Sequence, residues 1–322
     1  MFNLVDRPVI ALAIGDPAGI SPELTARVVA LPEIKQAAKV IVIGDRRVFE
    51  NGSRVAGLAA EPEMFVDLAN LDPADIQQGV ASREGGASAL ANYRHALAMV
   101  DTGEAQAVCF TPFNKQAMRL AQTGYDDEIR FTASEIGFSG AATEFNILEG
   151  LWNARVTSHI PLKDVSAALT TDGIVEALEL TAAALLAAGF RPPRIGVAAL
   201  NPHAGDGGNF GREEIDVIGP AVERAKMAGL PVDGPYPADT VFVRAKAGQF
   251  DAVLTMYHDQ GQIAMKLLGF DRGVTLLGGF PFPICTPAHG TAYDIAGRGV
   301  ANVGAARAAL LLAASMARTA TL

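Results

Sequence analysis

Short apolar runs of strand length alternate with amphipathic helical stretches along this chain, and that alternation leaves few folds open. Val9–Ile14 is the first run; the breaker Gly15-Asp-Pro-Ala-Gly-Ile-Ser-Pro22 ends it, and Glu23–Ala30 follows with helical spacing. Strands are predicted at Val40–Gly44, Ala107–Thr111, Ile195–Leu200 and Ala252–Met256. Helices are predicted at Gly86–Thr102, Lys115–Ala121, Asp172–Ala188, Glu213–Ala228, Gln262–Leu268 and Val303–Ala317. Continuously apolar strands between amphipathic helices indicate parallel strands covered on both faces, so the fold class is α/β. At 322 residues the chain is long enough for two domains or one large one, each with a substantial core.

Composition then removes whole function classes. Formal charge is 26 − 35 = −9 and no Lys/Arg cluster stands out, so a nucleic-acid partner is not expected. The two cysteines, Cys109 and Cys285, are too few for a disulfide framework or a cysteine-built zinc site. Cys285 lies in an apolar setting with no positive charge to activate a thiolate. No apolar run reaches the ~18 residues of a membrane span; Ala308–Ala317 is among the longest, and Arg307 interrupts it. The N-terminus lacks the layout of a secretory signal, and a cytoplasmic protein without a membrane partner is expected.

Polar motifs stand directly after predicted strands, where ligands of open α/β sheets bind. They are Gly15-Asp16, Thr111–Lys115, His159, Asn201–Gly208 and Tyr257–Gly261, and together they suggest a single cleft between two lobes. Histidine is scarce. His95 falls inside a helical pattern and reads as structural, whereas His159, His203, His258 and His289 each sit in a polar loop. Three imidazoles with an open fourth position make a catalytic zinc site, but gaps of 44 and 55 residues carry no local metal signature. By spacing alone, scattered loop histidines with polar partners are the plainer reading. Gly15-Asp-Pro-Ala-Gly19 lacks the spacing of a dinucleotide or phosphate loop and reads as a tight strand-to-helix turn. The glycines of Asn201–Gly208 would let backbone approach a ligand, while Glu213 and Glu214 suit the first turn of a helix and read as structural. The stretch His289–Asn302 has the glycine content of a loop bent around something, and an Asp there could accept from ribose hydroxyls; a simple loop before the last helix is equally open.

Taken together, Gly15-Asp-Pro-Ala-Gly-Ile20, Thr111-Pro-Phe-Asn-Lys115, Ser158-His-Ile-Pro-Leu162, Asn201-Pro-His-Ala-Gly205, Pro237-Ala-Asp-Thr240, Tyr257-His-Asp-Gln-Gly261 and His289-Gly-Thr-Ala292 resemble, in order, the 4-hydroxythreonine-4-phosphate dehydrogenase family of vitamin B6 synthesis. The resemblance implies a two-domain fold like that of isopropylmalate and isocitrate dehydrogenases, with the active site in the interdomain cleft of a homodimer and completed by the partner subunit. It places residues 1–130 with 280–322 in the first domain, and 131–279 in the second, which carries the metal histidines and dimer contacts. It further implies a divalent metal, zinc before magnesium, manganese or cobalt, on His159, His203 and His258. NAD, with NADP as the variant, would contact His289, Gly290, Asp294 and Asn302. Asp239 and Lys266 match catalytic positions, and Lys266 is also a substrate contact. The reaction implied is oxidation of a hydroxyl β to a carboxylate, with loss of carbon dioxide from the resulting keto acid.

The recognition end departs from the family pattern. Asp127-Glu-Ile-Arg130 stands where the family has Gly-His-Thr-Glu, placing Glu128 and Ile129 at two substrate positions beside Arg130. Thr275 replaces an Asn and Ile284 an Arg; an aliphatic side chain cannot supply a bidentate guanidinium contact. These changes predict poor turnover of 4-hydroxythreonine 4-phosphate and better turnover of an unphosphorylated or bulkier hydroxy acid, an aromatic cis-dihydrodiol carboxylate among them. Two readings of other classes stand beside a dehydrogenase: a metal-binding sensor or scaffold, and a metal-dependent lyase without NAD.

Overall fold

The computed structural model describes residues 7–320, excepting the side chains of residues 270 and 320. Its strands are β1 (Val9–Ala13), β2 (Lys39–Gly44), β3 (Met64–Asp67), β4 (Ala107–Phe110), β5 (Thr143–Leu148), β6 (Leu151–Arg155), β7 (Ile195–Ala198), β8 (Val232–Tyr236), β9 (Ala252–Thr255), β10 (Val274–Gly278) and β11 (Ile284–Pro287). The helices are α1 (Ser21–Ala30), α2 (Pro32–Ala37), α3 (Arg46–Val55), α4 (Arg83–Asp101), α5 (Lys115–Ala121), α6 (Glu128–Glu135), α7 (Val165–Ala168), α8 (Thr171–Ala187), α9 (Gly219–Met227), α10 (Ala238–Lys246), α11 (His258–Gly269) and α12 (Gly304–Ala320). The chain divides into two compact units, Met1–Gly140 with Val274–Leu322, and Ala141–Gly273.

In the first unit the strand order is β3-β2-β1-β4-β11-β10. All pairs are parallel except β10 with β11. β1 and β4 are almost wholly apolar and buried because helices must cover both faces of such strands. Tyr93 and Leu97 of α4 pack with Ile43, Phe110, Met118 and Phe131 in that core. Tyr93 is fully buried, and its hydroxyl pairs with Thr132 Oγ1 at 2.6 Å. Leaving β1, the neighbours β2 and β4 diverge to opposite sides, the point where open α/β sheets form a crevice at strand carboxyl ends.

The second unit has the order β5-β6-β9-β7-β8, with β5 and β6 antiparallel and the rest parallel. A two-residue turn joins β5 to β6, its Gly150 at φ 76°, a left-handed conformation that suits glycine. The core combines Leu151, Val253, Met265, Val241, Phe242 and Phe250. Trp152 is 1 % exposed and meets the Phe145 and Phe190 rings.

Differences from the sequence reading are local. Not all strands are parallel; β3, β5, β8, β10 and β11 were not expected, and β6, the strand before His159, was expected without bounds. The expected helix Glu213–Ala228 is a π turn at Glu214–Ile218 continued by α9, whose Pro220 in the first turn has no N–H to give the preceding turn. Among the described residues no helix is long and apolar enough to cross a membrane.

Candidate active site

The five strand-end motifs fall into two groups, one in each unit. In the second unit, β6, β9 and β7 are neighbours, and the chain leaving each of them carries one histidine: His159, His258 and His203. Three residues distant in sequence thus follow three adjacent strands. The ends of those strands are tied together. Thr157 donates its N–H (3.1 Å) and its hydroxyl (2.7 Å) to the Met256 carbonyl, linking the β6 exit to that of β9. Gln260 accepts from Met256 N–H at 2.7 Å and donates to the Ala199 carbonyl at 2.7 Å, linking β9 to β7.

His258 is not in a loop, as its Gly-containing motif suggested, but opens α11. Its Nδ1 lies 2.7 Å from Asp259 Oδ1, a carboxylate contact that fixes ring orientation. The His159 and His258 rings are 5.6 Å apart. Buried Arg155 stands behind them: Nε donates to Ser158 Oγ at 3.0 Å, Nη1 to Asn146 Oδ1 and Nη2 to Glu144, both at 2.5 Å. Asn146 also accepts from Gln262 of α11 at 2.6 Å, so one polar network braces the segments that carry both rings.

His203 belongs to a different backbone. Residues His203, Ala204, Gly205, Asp206 and Gly207 all have positive φ, from 45° to 80°. For the three non-glycine residues this costs roughly 1–2 kcal/mol each, and such strain persists only where surroundings impose it. Glu214 anchors the entry to this segment: Oε1 accepts from Leu200 N–H at 2.8 Å and Asn201 N–H at 2.7 Å, and Oε2 from Asn201 Nδ2 at 3.0 Å. Glu213 accepts from Asn201 Nδ2 and from Ser166 Oγ, and those bonds hold its carboxyl below the usual range. The pair expected to be structural therefore organises the His203 loop. The His203 ring meets Phe210 edge-on at 5.9 Å. Among the described residues no group of three His, Cys, Asp or Glu is disposed to hold a metal ion. The donor set suits a borderline divalent ion, with imidazoles and a carboxylate behind one of them; two of the three rings are side by side.

Asp239 lies exposed in the first turn of α10, and Lys266 lies on the exposed side of α11, two turns beyond His258.

In the first unit Gly15–Gly19 is the tight turn expected. Gly15 N–H donates to Thr111 Oγ1 at 2.9 Å and Asp16 N–H to the Pro112 carbonyl at 3.0 Å, so the motifs after β1 and β4 interlock. A Cβ on Gly15 would lie 2.2 Å from the Thr111 carbonyl oxygen. The same turn holds the His289–Asn302 loop. Ile20 N–H donates to the Thr291 carbonyl at 3.0 Å, and Tyr293 donates its hydroxyl to Asp16. Gly290 and Asp294 are exposed, His289 Nδ1 lies 3.0 Å from the Gly290 carbonyl, and Asn302 Oδ1 accepts from Gly304 N–H at 2.8 Å at the start of α12. An exposed carboxylate is suited to accept hydrogen bonds from ribose hydroxyls.

Asp16 is 1 % exposed, and burial raises its carboxyl above the ordinary range against the opposing bonds from Tyr293 and Ala18. The folded state then holds a proton that the unfolded chain releases at about pH 4. The stability this gives is present below that pH and is lost as pH rises through the raised value. Asp16→Asn keeps an acceptor for Ala18 N–H and carries no charge. It is expected to raise the melting temperature near neutral pH and to leave it unchanged below about pH 4; calorimetric melts across pH check this, and parallel curves would refute it.

Of the substrate positions, Glu128 is 9 % exposed and pairs with Lys115 Nζ at 3.4 Å. Arg130 is exposed and paired with Asp126. Thr275 is partly buried in β10 opposite Thr286. Ile284 is 0 % exposed in the apolar core of the unit. Cys285 and Cys109 are buried, and burial pushes both thiols up, in accord with an unreactive Cys285. Five further residues that brace the site carry no signal in the sequence pattern: Glu23, Asn146, Asn153 and Tyr293 have partners far away in sequence, and Arg155 pairs across the β5–β6 hairpin.

The family described as "Pyridoxal phosphate biosynthetic protein PdxA" matches residues 35–313. A Rhizobium meliloti (strain 1021) protein named "Putative 4-hydroxythreonine-4-phosphate dehydrogenase 2" is 60 % identical, over 97 % of this chain and 94 % of its own. A Pseudomonas aeruginosa protein of the same name is 46 % identical over 98 % and 99 %. Among solved structures, the 4-hydroxythreonine-4-phosphate dehydrogenase of Klebsiella pneumoniae superimposes with a TM-score of 0.83 at 32 % identity, covering 97 % of this chain and 99 % of that one.

Proposed function

The chain belongs to the family of the pyridoxal phosphate biosynthetic protein PdxA, whose curated relatives are dehydrogenases, and from that premise we propose that it oxidises the secondary hydroxyl of a small phosphorylated hydroxy acid, with NAD as hydride acceptor and loss of carbon dioxide. The substrate that the relatives' names carry, 4-hydroxythreonine 4-phosphate, is the one proposed. The observation that carries the reading is the placement of His159, His203 and His258 after three adjacent strands of one unit. These three would hold a divalent ion, zinc in this reading, and such an ion supplies Lewis acidity at the hydroxyl and at the carbonyl it becomes. His289, Gly290, Asp294 and Asn302 would hold the dinucleotide, which supplies the hydride acceptor.

The protein's own residues bind, orient and move protons. Asp259 and the Arg155 network orient two imidazoles. Lys266 and Asp239, both on exposed helical positions of the same unit, are the groups proposed to take the hydroxyl proton and to return one to the decarboxylated carbon. A homodimer that shares its active site and works in the cytoplasm belongs to the same reading.

The unphosphorylated substrate anticipated from sequence is not carried forward. The charge of Glu128 is offset by Lys115, so it does not present an uncompensated anion to a phosphate. Ile284 packs in the core, and its lack of a donor says nothing about the ligand. Absorbance of NADH at 340 nm, with zinc and 4-hydroxythreonine 4-phosphate, tests the reading. A kcat/KM of ~10⁴ M⁻¹s⁻¹ or more is expected, within the ordinary enzyme range. A value a hundredfold lower, with a better substrate in a panel of hydroxy acids, overturns the substrate and keeps the reaction; no NADH from any hydroxy acid overturns both.

A further inference from the structure

Glu23 is 2 % exposed on α1, and its carboxylate leaves its own helix to meet the distant Gly299–Asn302 stretch. Oε1 accepts from Ala301 N–H at 2.9 Å and from Arg27 Nε at 3.0 Å. Arg27, one turn further along, donates through Nη2 to the Gly299 carbonyl. The second oxygen, Oε2, is buried without a hydrogen-bond partner. A half-satisfied buried carboxylate is costly, and a well-packed apolar side chain would stabilise the helix better. The charge therefore needs another reason, and its contacts supply one. The ion pair grips a carbonyl and an N–H two residues apart, just before Asn302 turns into α12. The gripped backbone cannot set itself, since Gly299 has φ 71° and packs with its Cα toward the Val55 carbonyl, where a Cβ would lie at 2.5 Å.

We propose that Glu23, acting with Arg27, is a positioning residue for the nucleotide cofactor: it fixes Gly299–Ala301 so that Asn302 and the adjoining backbone meet the dinucleotide preorganised. This rests on the assignment of the His289–Asn302 loop to NAD. Glu23 touches no reacting atom; its contribution is ordering done before the ligand arrives, which shows as affinity.

The full chain is used for the test. NADH binding is followed by nicotinamide fluorescence, kcat and KM for NAD by steady-state kinetics, and amide exchange of residues 297–304 by mass spectrometry. Glu23→Gln keeps an acceptor for Ala301 but loses the charge that holds Arg27. Arg27→Met leaves the carboxylate and removes the grip on Gly299. Each is expected to raise the Kd of NADH and the KM for NAD roughly tenfold, the scale of one charge-assisted hydrogen bond. Faster exchange at 299–302 should accompany this, with kcat at saturating NAD nearly unchanged, and Arg27→Lys should recover part of the affinity. Loss of kcat with unchanged KM and a lower melting temperature would mean a merely structural role and overturn the proposal, as would unchanged NADH affinity in both variants. Wild-type protein that binds no NADH overturns the cofactor reading itself, a failure seen before any variant is made.

Discussion

Alanine at His258 is expected to lower kcat/KM by about a thousandfold or more while leaving the melting temperature within a few degrees of wild type. The size follows from the several kcal/mol that a bound cation contributes to stabilising charge on oxygen, since each 1.4 kcal/mol is a factor of ten in rate. The fold should survive because His258 is the first residue of α11 and about a third of its side chain is exposed, so little core is lost. His159→Ala and His203→Ala should behave alike. Asp259→Asn should be milder, since an outer partner of a metal-bound histidine is worth 10–100-fold in affinity and this one contacts Nδ1 at 2.7 Å. Elemental analysis of dialysed protein separates causes: the three histidine variants should lose the ion, whereas Asp259→Asn should hold it more weakly. Full activity in metal-stripped His203→Ala protein would remove the three-histidine site.

How much of this was legible beforehand depended on where each element finds its partners. β1, β2, β4, β7 and β9 announce themselves because a strand covered on both faces must be apolar at every position. β5 and β6 hide because Asn146, Asn153 and Arg155 interrupt their apolar pattern; Arg155 is buried by bonding Asn146, Glu144 and Ser158, Asn146 also takes a bond from Gln262, and Asn153 bonds Thr255 and the Ala154 and Val253 carbonyls. β3 hides because it is half-exposed and only four residues long. The histidines were visible as polar residues after strands, yet spacing could not bring them together; the order β6-β9-β7 does. The bracing groups left no local signal. Glu23 reads from sequence only as the start of a helix and Glu214 as a first-turn acid, but one grips Ala301 and the other Asn201.

Gly261 shows how tightly such bracing limits the site. Its motif, Tyr257-His-Asp-Gln-Gly261, invites the view that a loop needs glycine for conformational freedom. Gly261 is instead inside α11, and its requirement is space. A Cβ there would lie 2.1 Å from Asn153 Oδ1 and 2.5 Å from both Cγ and Nδ2 of the same side chain. Asn153 cannot withdraw, because it is 0 % exposed and its Nδ2 donates to the Ala154 and Val253 carbonyls and to Thr255 Oγ1, at 3.0 to 3.1 Å. Gly261→Ala must then either push α11 off β6 or break that amide's bonds. Overpacking costs roughly 1–3 kcal/mol, and orphaning a buried polar group a further 1–3 kcal/mol. A loss of about 2–6 kcal/mol in unfolding free energy is expected, measured by urea denaturation. Because α11 begins at His258, the same displacement should separate the His258 and His159 rings and weaken metal retention beyond what instability explains. Asn153→Ser in the Gly261→Ala background, which shortens the obstructing side chain, should recover part of both losses, giving a favourable coupling between the two substitutions. A Gly261→Ala protein as stable as wild type and equally metal-loaded would show that the contact yields without consequence, and the close approach of α11 to β6 would lose its role in placing His258.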